Sequence, residues 1–173
     1  MSIAARWIFE GRVVIEIEYR IQHAIEYLVF EWARLIDENR IEDAVSLLIE
    51  EGEYRIASRF NADRDLPVAL VHCKTRAQLR DRIVSMRVAN VYETHHYRHL
   101  VAGVQIIGFE DGVYDVRSSY TVIRIMEHDG AMAVFSTGQY RDQIVIEAGI
   151  ARFRRRHVLY DSRAIDTLLV VPL

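Results

Sequence analysis

Residues 97–160 read YRHLVAGVQIIGFEDGVYDVRSSYTVIRIMEHDGAMAVFSTGQYRDQIVIEAGIARFRRRHVLY. Apolar and polar residues alternate through four stretches of this segment: Tyr97–Phe109, Gly112–Glu127, Ala131–Ile146 and Ile150–Tyr160. A period of two marks strands with one buried face. These strands are far longer than the usual ~5–6 residues. A strand of ~14 residues spans about 45 Å at ~3.3 Å per residue. The joints are Glu110-Asp111-Gly112, His128-Asp129-Gly130 and Glu147-Ala148-Gly149. Asp-Gly is a strong hairpin signal, because glycine takes a positive φ at no steric cost. The expectation is one long, strongly curved antiparallel sheet.

Upstream the period changes. Ile21, Ala24, Ile25, Leu28, Val29, Trp32, Leu35 and Ile36 fall at the spacing of one helical face. Asp37-Glu38-Asn39-Arg40 breaks it, and a second short helix follows through Leu48, ended by Gly52. Glu53–Phe60 reads as a strand, Asn61–Asp65 as a polar loop and Leu66–Cys73 as a further extended piece. Thr75 and Gln78 form a capping-box signature for a helix presenting Ala77, Leu79, Ile83, Val84 and Met86. From about Val91 the period is two. Helices first and a strand meander last predict an α+β domain over residues 21–173, a half-open cone whose wide side the N-terminal helices close. Residues 1–20 read as an arm, extended over Ile3–Ile17.

The chain has 173 residues, 51% apolar and 27% charged, enough for one domain with its own core. A net charge of −3 gives no bulk field for nucleic acid or anionic lipid. A single cysteine, Cys73, precludes an internal disulfide and points to a reducing cytoplasm. No long uncharged apolar run is present to span a membrane, and Arg6, Glu10 and Arg12 interrupt any signal-peptide core. No phosphate-binding glycine loop or nucleophile elbow occurs.

Several segments in order resemble the small (beta) subunits of aromatic-ring-hydroxylating dioxygenases. They are Ala33–Arg40, Tyr97–Val104, Val116–Tyr120, Gly138–Asp142 and Arg156–Ser162. The closing Tyr160-Asp161-Ser162 and the apolar tail Leu168–Leu173 are most similar to the benzoate, salicylate and anthranilate branch. Gly103 stands where that family usually has Asn, and Ala151-Arg152-Phe153 where it has Trp-Arg. The resemblance implies the cone fold of the nuclear-transport-factor and ketosteroid-isomerase superfamily. It also implies a trimer of small subunits bound to three large (alpha) oxygenase subunits. The Rieske 2Fe-2S cluster and the mononuclear iron would lie in the large subunit, and this chain would be structural, with no cofactor of its own.

The residues bear on this directly. A Rieske centre needs two cysteines, and the chain has one. In Glu93–His99, His95 and His99 would lie ~13 Å apart on a strand, too far for one ion. His99 then reads as a buried strand histidine, with His95 and His96 exposed at the strand entrance. A free-standing isomerase or dehydratase of the same fold would need a carboxylate or histidine base and a tyrosine donor in an apolar pocket. The candidates are Tyr27, Asp37, His99 and Tyr120 or Tyr140; a binding protein for a small apolar ligand is a third possibility. The apolar residues of the late strands favour a filled interior. Arg152, Arg154 and Arg156 would share one strand face, with Arg155 opposite. They suit a subunit interface better than nucleic acid, with Asp115, Glu127, Asp142 or Asp161 as partners. The expected interface residues are Arg98, His99, Arg152, Arg154, Arg156, Tyr160 and Asp161.

Overall fold

A computed structural model describes residues 6–9, 12–15, 18–89, 93–162 and 171–173. Two short strands, β1 (Arg6–Phe9) and β2 (Arg12–Ile15), form an antiparallel hairpin within the expected arm. The rest of that arm ahead of Glu18, the start of the period-two region at Val91, and Leu168–Val170 of the tail lie outside the described residues.

Helix α1 (Tyr19–Asp37) buries Ile25, Leu28, Val29, Trp32, Leu35 and Ile36, the face that the periodicity marks. It ends in a Schellman motif. Asn39 takes φ 58°, its N–H reaches the Ile36 carbonyl at 3.0 Å, and Arg40 N–H reaches that of Leu35 at 2.8 Å. Helix α2 (Ile41–Ser46) is shorter than expected, because Leu48 already begins strand β3 (Leu48–Ser58). Gly52 therefore does not end a helix. It lies in β3, where the pairing shifts between Leu48 and Glu53, and a Cβ there would come within 2.8 Å of Leu48 and the Ile49 carbonyl.

The strand expected to reach Phe60 stops at Ser58, and one helical turn, α3 (Arg59–Ala62), runs from there into the expected loop, capped by Ser58, which accepts from Asn61 N–H. Only Val71–Cys73 of the next extended piece is strand, as β4. Helix α4 (Arg76–Ala89) begins at Thr75, whose hydroxyl accepts from Gln78 N–H at 3.3 Å, while Gln78 accepts in turn from Lys74 N–H at 2.7 Å. It buries Leu79, Ile83 and Met86; Ala77 and Val84 face out.

Strands β5 (His95–Glu110), β6 (Val113–Met126), β7 (Met132–Glu147) and β8 (Ile150–Tyr160) form the expected antiparallel meander. The whole sheet, in the order β4-β3-β8-β7-β6-β5, is mixed rather than antiparallel, because β8 returns beside β3 in parallel. The open sheet packs against the N-terminal helices as an α+β cone. Asp111-Gly112 and Ala148-Gly149 have positive φ at both positions, as a two-residue hairpin turn with the sheet's twist demands. Register shifts at Gly103-Val104 and Ile107 in β5, Phe135 in β7 and Arg154 in β8 supply the curvature.

Gly138 on β7 faces Tyr160 across the pair with β8. A Cβ at this position would overlap the Leu159 carbonyl oxygen and lie 2.9 Å from Tyr160 Cα. Backbone there cannot yield without breaking the ladder. Gly138→Ala should destabilise the chain by about 1–3 kcal/mol, read as a lower urea midpoint with an unchanged m-value.

Candidate functional site

The inner face of the sheet converges on one charged pair. Arg156 on β8 and Asp142 on β7 are directly opposite, and Arg156 Nη1 donates to Asp142 Oδ2 at 2.9 Å. Both side chains are fully buried. Three aromatic faces enclose the guanidinium: Tyr140 at 3.8 Å, Phe153 at 4.7 Å and Trp32 at 4.9 Å from its carbon to the ring centres. Trp32 also stacks on Tyr54 at 5.5 Å. Leu173, itself fully buried, closes the group: its main-chain N–H donates to the Tyr54 hydroxyl at 3.0 Å, and its main-chain oxygen accepts from Trp32 Nε1 at 3.3 Å. Burial pushes the Asp142 carboxyl up to about 7 against the pull of Arg156, and pushes the Tyr140 hydroxyl up to about 12. The middle of the cone is occupied by side chains.

Of the candidates for proton transfer, Asp37, His99 and Tyr120 come together and Tyr27 does not. Asp37, at the end of α1, accepts from His99 Nδ1 at 2.6 Å and from His99 main-chain N–H at 3.0 Å. Arg98 lies 3.6 Å from its other oxygen. The carboxylate thus ties the helix end to edge strand β5. Tyr120 is buried and bonds Ser136 Oγ at 3.0 Å, with burial raising its hydroxyl pKa. Asp37, His99 and Tyr120 line a groove of about 520 Å³ with Phe30 and Leu100. Tyr27 is absent from it. It is 62% exposed on the other side of α1, where it lines an apolar groove of about 430 Å³ with Tyr19, His23 and Ile150.

The arginines of β8 also divide. Arg154 is the extra residue of a bulge, opposed by neither Gln143 nor Ile144, so the alternation slips by one there. Arg152 and Arg154 are exposed, whereas Arg156 turns into the core with Phe153 and Val158. Arg156 therefore does not share a face with Arg154, and its side chain has no surface to offer a neighbouring subunit. Tyr160 is buried too, its hydroxyl against Ser58. His99 is largely buried, Arg98 is exposed, and Asp161 pairs with Arg59 on the surface.

Glu53 on β3 was no candidate in the sequence, yet it is a charge hub. It accepts from Arg155 Nε at 3.0 Å and lies 3.0 Å from His72 Nε2 and 3.1 Å from His157 Nε2. Burial would raise its pKa, but the contacts with His157 and Arg155 prevail and lower it. The register β3–β8 that assembles this hub is a long-range fact with no local signal.

Among the described residues, no group of three or more His, Cys, Asp and Glu could hold a metal ion. The three histidines of the suspected cluster diverge: His95 meets the Glu93 carbonyl, His96 meets Glu127 and His99 meets Asp37. No described helix is long and apolar enough to cross a membrane. Cys73 is a buried thiol whose pKa burial raises.

The SnoaL-like domain family matches residues 18–157. The anthranilate 1,2-dioxygenase small subunit of Burkholderia cepacia is 38% identical over 138 residues, 80% of this chain and 85% of that protein. The chain belongs to the small-subunit family of aromatic-ring-hydroxylating dioxygenases. A beta subunit of the terephthalate 1,2-dioxygenase terminal oxygenase component from a Comamonas species is 31% identical over 82% of this chain and 92% of its own. A solved beta subunit attributed to an aromatic-ring-hydroxylating dioxygenase of Novosphingobium aromaticivorans superposes with a TM-score of 0.80 at 31% identity, covering 88% of this chain and 97% of that one. The anthranilate relative agrees with the branch that the C-terminal motif indicates.

Asp142→Ala strands a guanidinium in the core and should cost about 3–5 kcal/mol, while Asp142→Leu with Arg156→Met removes both charges and should cost distinctly less than the two single changes summed. Chemical denaturation of the native chain, Asp142→Ala, Asp142→Leu, Arg156→Met and the double variant checks this. Burial holds His157 below the ordinary histidine pKa, ahead of the opposing contact with Glu53. The folded state then binds that proton less readily than the unfolded state, so its contribution is present above pH ~6.5 and is lost as pH falls below it. Asp142, raised by burial, acts in the opposite sense, so the comparison is between native and variant. The fall in unfolding midpoint from pH 7 to pH 5 should be smaller in His157→Gln than in the native chain.

Proposed function

We propose that this chain is a non-catalytic small subunit of a Rieske-type aromatic-ring-hydroxylating oxygenase. It trimerises and holds large subunits, which carry the 2Fe-2S cluster and the mononuclear iron, in register for the breakdown of aromatic compounds in the cytoplasm. Residues 1–20 act as an arm on a single domain over 21–173. The observation that carries this reading is the interior of the cone. Related folds that act as enzymes need a pocket where this chain has Arg156, Asp142, Trp32, Tyr54, Tyr140 and Phe153 packed together. Arg98, Arg152, Arg154 and Asp161 remain interface candidates on the surface, and His99 serves to tether α1 to β5.

Asp37 and His99 favour a second reading, a free-standing proton-transfer enzyme, because a carboxylate on Nδ1 orients an imidazole as a base. The His99 side chain has no exposure, however, and Asp37 also holds the His99 main-chain N–H. Both features suit a structural tie better than a base that must meet substrate.

Co-expression with a Rieske-type large subunit tests the proposal. The expected product is a complex of equal numbers of both chains, with iron only when the large subunit is present, and a trimer when this chain is expressed alone. Stoichiometric iron in the isolated chain, or turnover by it, would overturn the proposal.

A further inference from the structure

The outer face of the sheet, turned away from α1, carries a row that is basic on five of the six strands and ends in Gln105 on β5. Gln105 lies opposite Arg117, Arg117 opposite Arg141, Arg141 opposite His157, His157 opposite Arg55, and Arg55 opposite His72. Residues directly opposite on neighbouring strands project to the same side. The flanking residues of each strand, such as Val116 and Ser118, Tyr140 and Asp142, or Tyr54 and Ile56, are buried on the inner side. Arg155, one step further along β8, adds a fourth guanidinium to this face.

The acids available on the face are already engaged. Glu53 serves Arg155, His157 and His72, and Asp115 accepts from Gln143 at 3.0 Å. Arg117 donates from Nε to Gln105 at 2.9 Å, while Arg141 has Asp63 at 3.5 Å, beyond a strong hydrogen bond. Arg117 and Arg141 therefore stand side by side with like charge, an arrangement that costs stability in an isolated sheet. Beside them lie the uncharged Ala102, Ser119 and Gln139, with Leu159 buried at the end of that row.

Resting on the small-subunit reading, we propose that this row docks an acidic segment of the large subunit, with one carboxylate gripped between Arg117 and Arg141. Two guanidinium forks at neighbouring strand positions match the planar geometry of a carboxylate, and its charge would relieve their repulsion. A second copy of this chain fits poorly. Contacts between copies in a trimer are head-to-tail, so the row would need an acidic patch elsewhere on the chain. The acids clustered at the end of α1 and in α2 are taken within the chain: Glu31 and Glu38 by Arg34, Asp43 by Arg40, and Glu42 by Arg87.

The test compares the native chain with Arg117→Gln, Arg141→Gln and Arg117→Glu, each co-expressed with the Rieske-type large subunit and also purified alone. Alone, the Gln variants should unfold at the same or a higher temperature than the native chain, which separates docking from folding. With the large subunit, each Gln variant should bind roughly tenfold more weakly or worse, Arg117→Glu weaker still. Native affinity should fall between about 50 mM and about 500 mM salt. Variants that bind like the native chain would overturn the inference and leave the small-subunit reading standing. Loss of the homo-oligomer in the isolated variants would assign the row to a second copy and overturn it as well. A native chain that binds no large subunit would sink both.

Discussion

A guanidinium without access to water lies at the centre of the inner sheet face, and most of the cone is arranged to tolerate it. An isolated buried charge costs several kcal/mol even after relaxation. Arg156 avoids that state through one carboxylate, Asp142, and three aromatic faces. The partners come from α1, β7 and β8, so the charge can be satisfied only when all three elements are in place. Such a pair adds little net stability over an apolar core, but it penalises every register that separates its members. Trp32, Tyr54 and Leu173 extend the same cluster to the end of the chain. A pocket in the middle of this cone would require dismantling it.

Bulges determine which residues take part. Under strict alternation, with Phe153 in the core, Arg154 and Arg156 would both turn outward. The slip lets Phe153 and Arg156 share the core while Arg154 points out. The shifts in β5 and β7 bend the long strands around α1 in the same way. At the edge, Asp37 occupies the His99 N–H that an unpaired strand would otherwise present to a passing chain. Close approach at Gly138 fixes the β7–β8 contact on the side opposite the turn.

With the inside filled, chemistry that depends on a partner falls to the outside. The outer face is ordered by the same registers as the core, because each strand alternates between the two. Tyr54, Arg156, Asp142 and Val116 line up within, and one step along each strand Arg55, His157, Arg141 and Arg117 line up without. A core built on a charged pair and a basic outer row are thus two consequences of one alignment.

The amino-acid sequence by itself determined the elements: the apolar face of α1, the cap of α4, the three hairpin turns and the four long strands, all of which rest on interactions within a few residues. Ordered motifs from Ala33 to Ser162 also carried the family. Tertiary structure alone decided which arginine is buried, since a bulge at Arg154 shifts the alternation and leaves no mark in local pattern. It alone decided that Gly52 lies in a strand rather than at a helix end, because Leu48 finds a partner in Phe153, more than a hundred residues away. The parallel pairing of β3 with β8, which gathers Glu53, Arg155 and His157, is likewise invisible to periodicity. Alternation says that a residue faces one side or the other; only the packed sheet says which side is in, and who stands opposite.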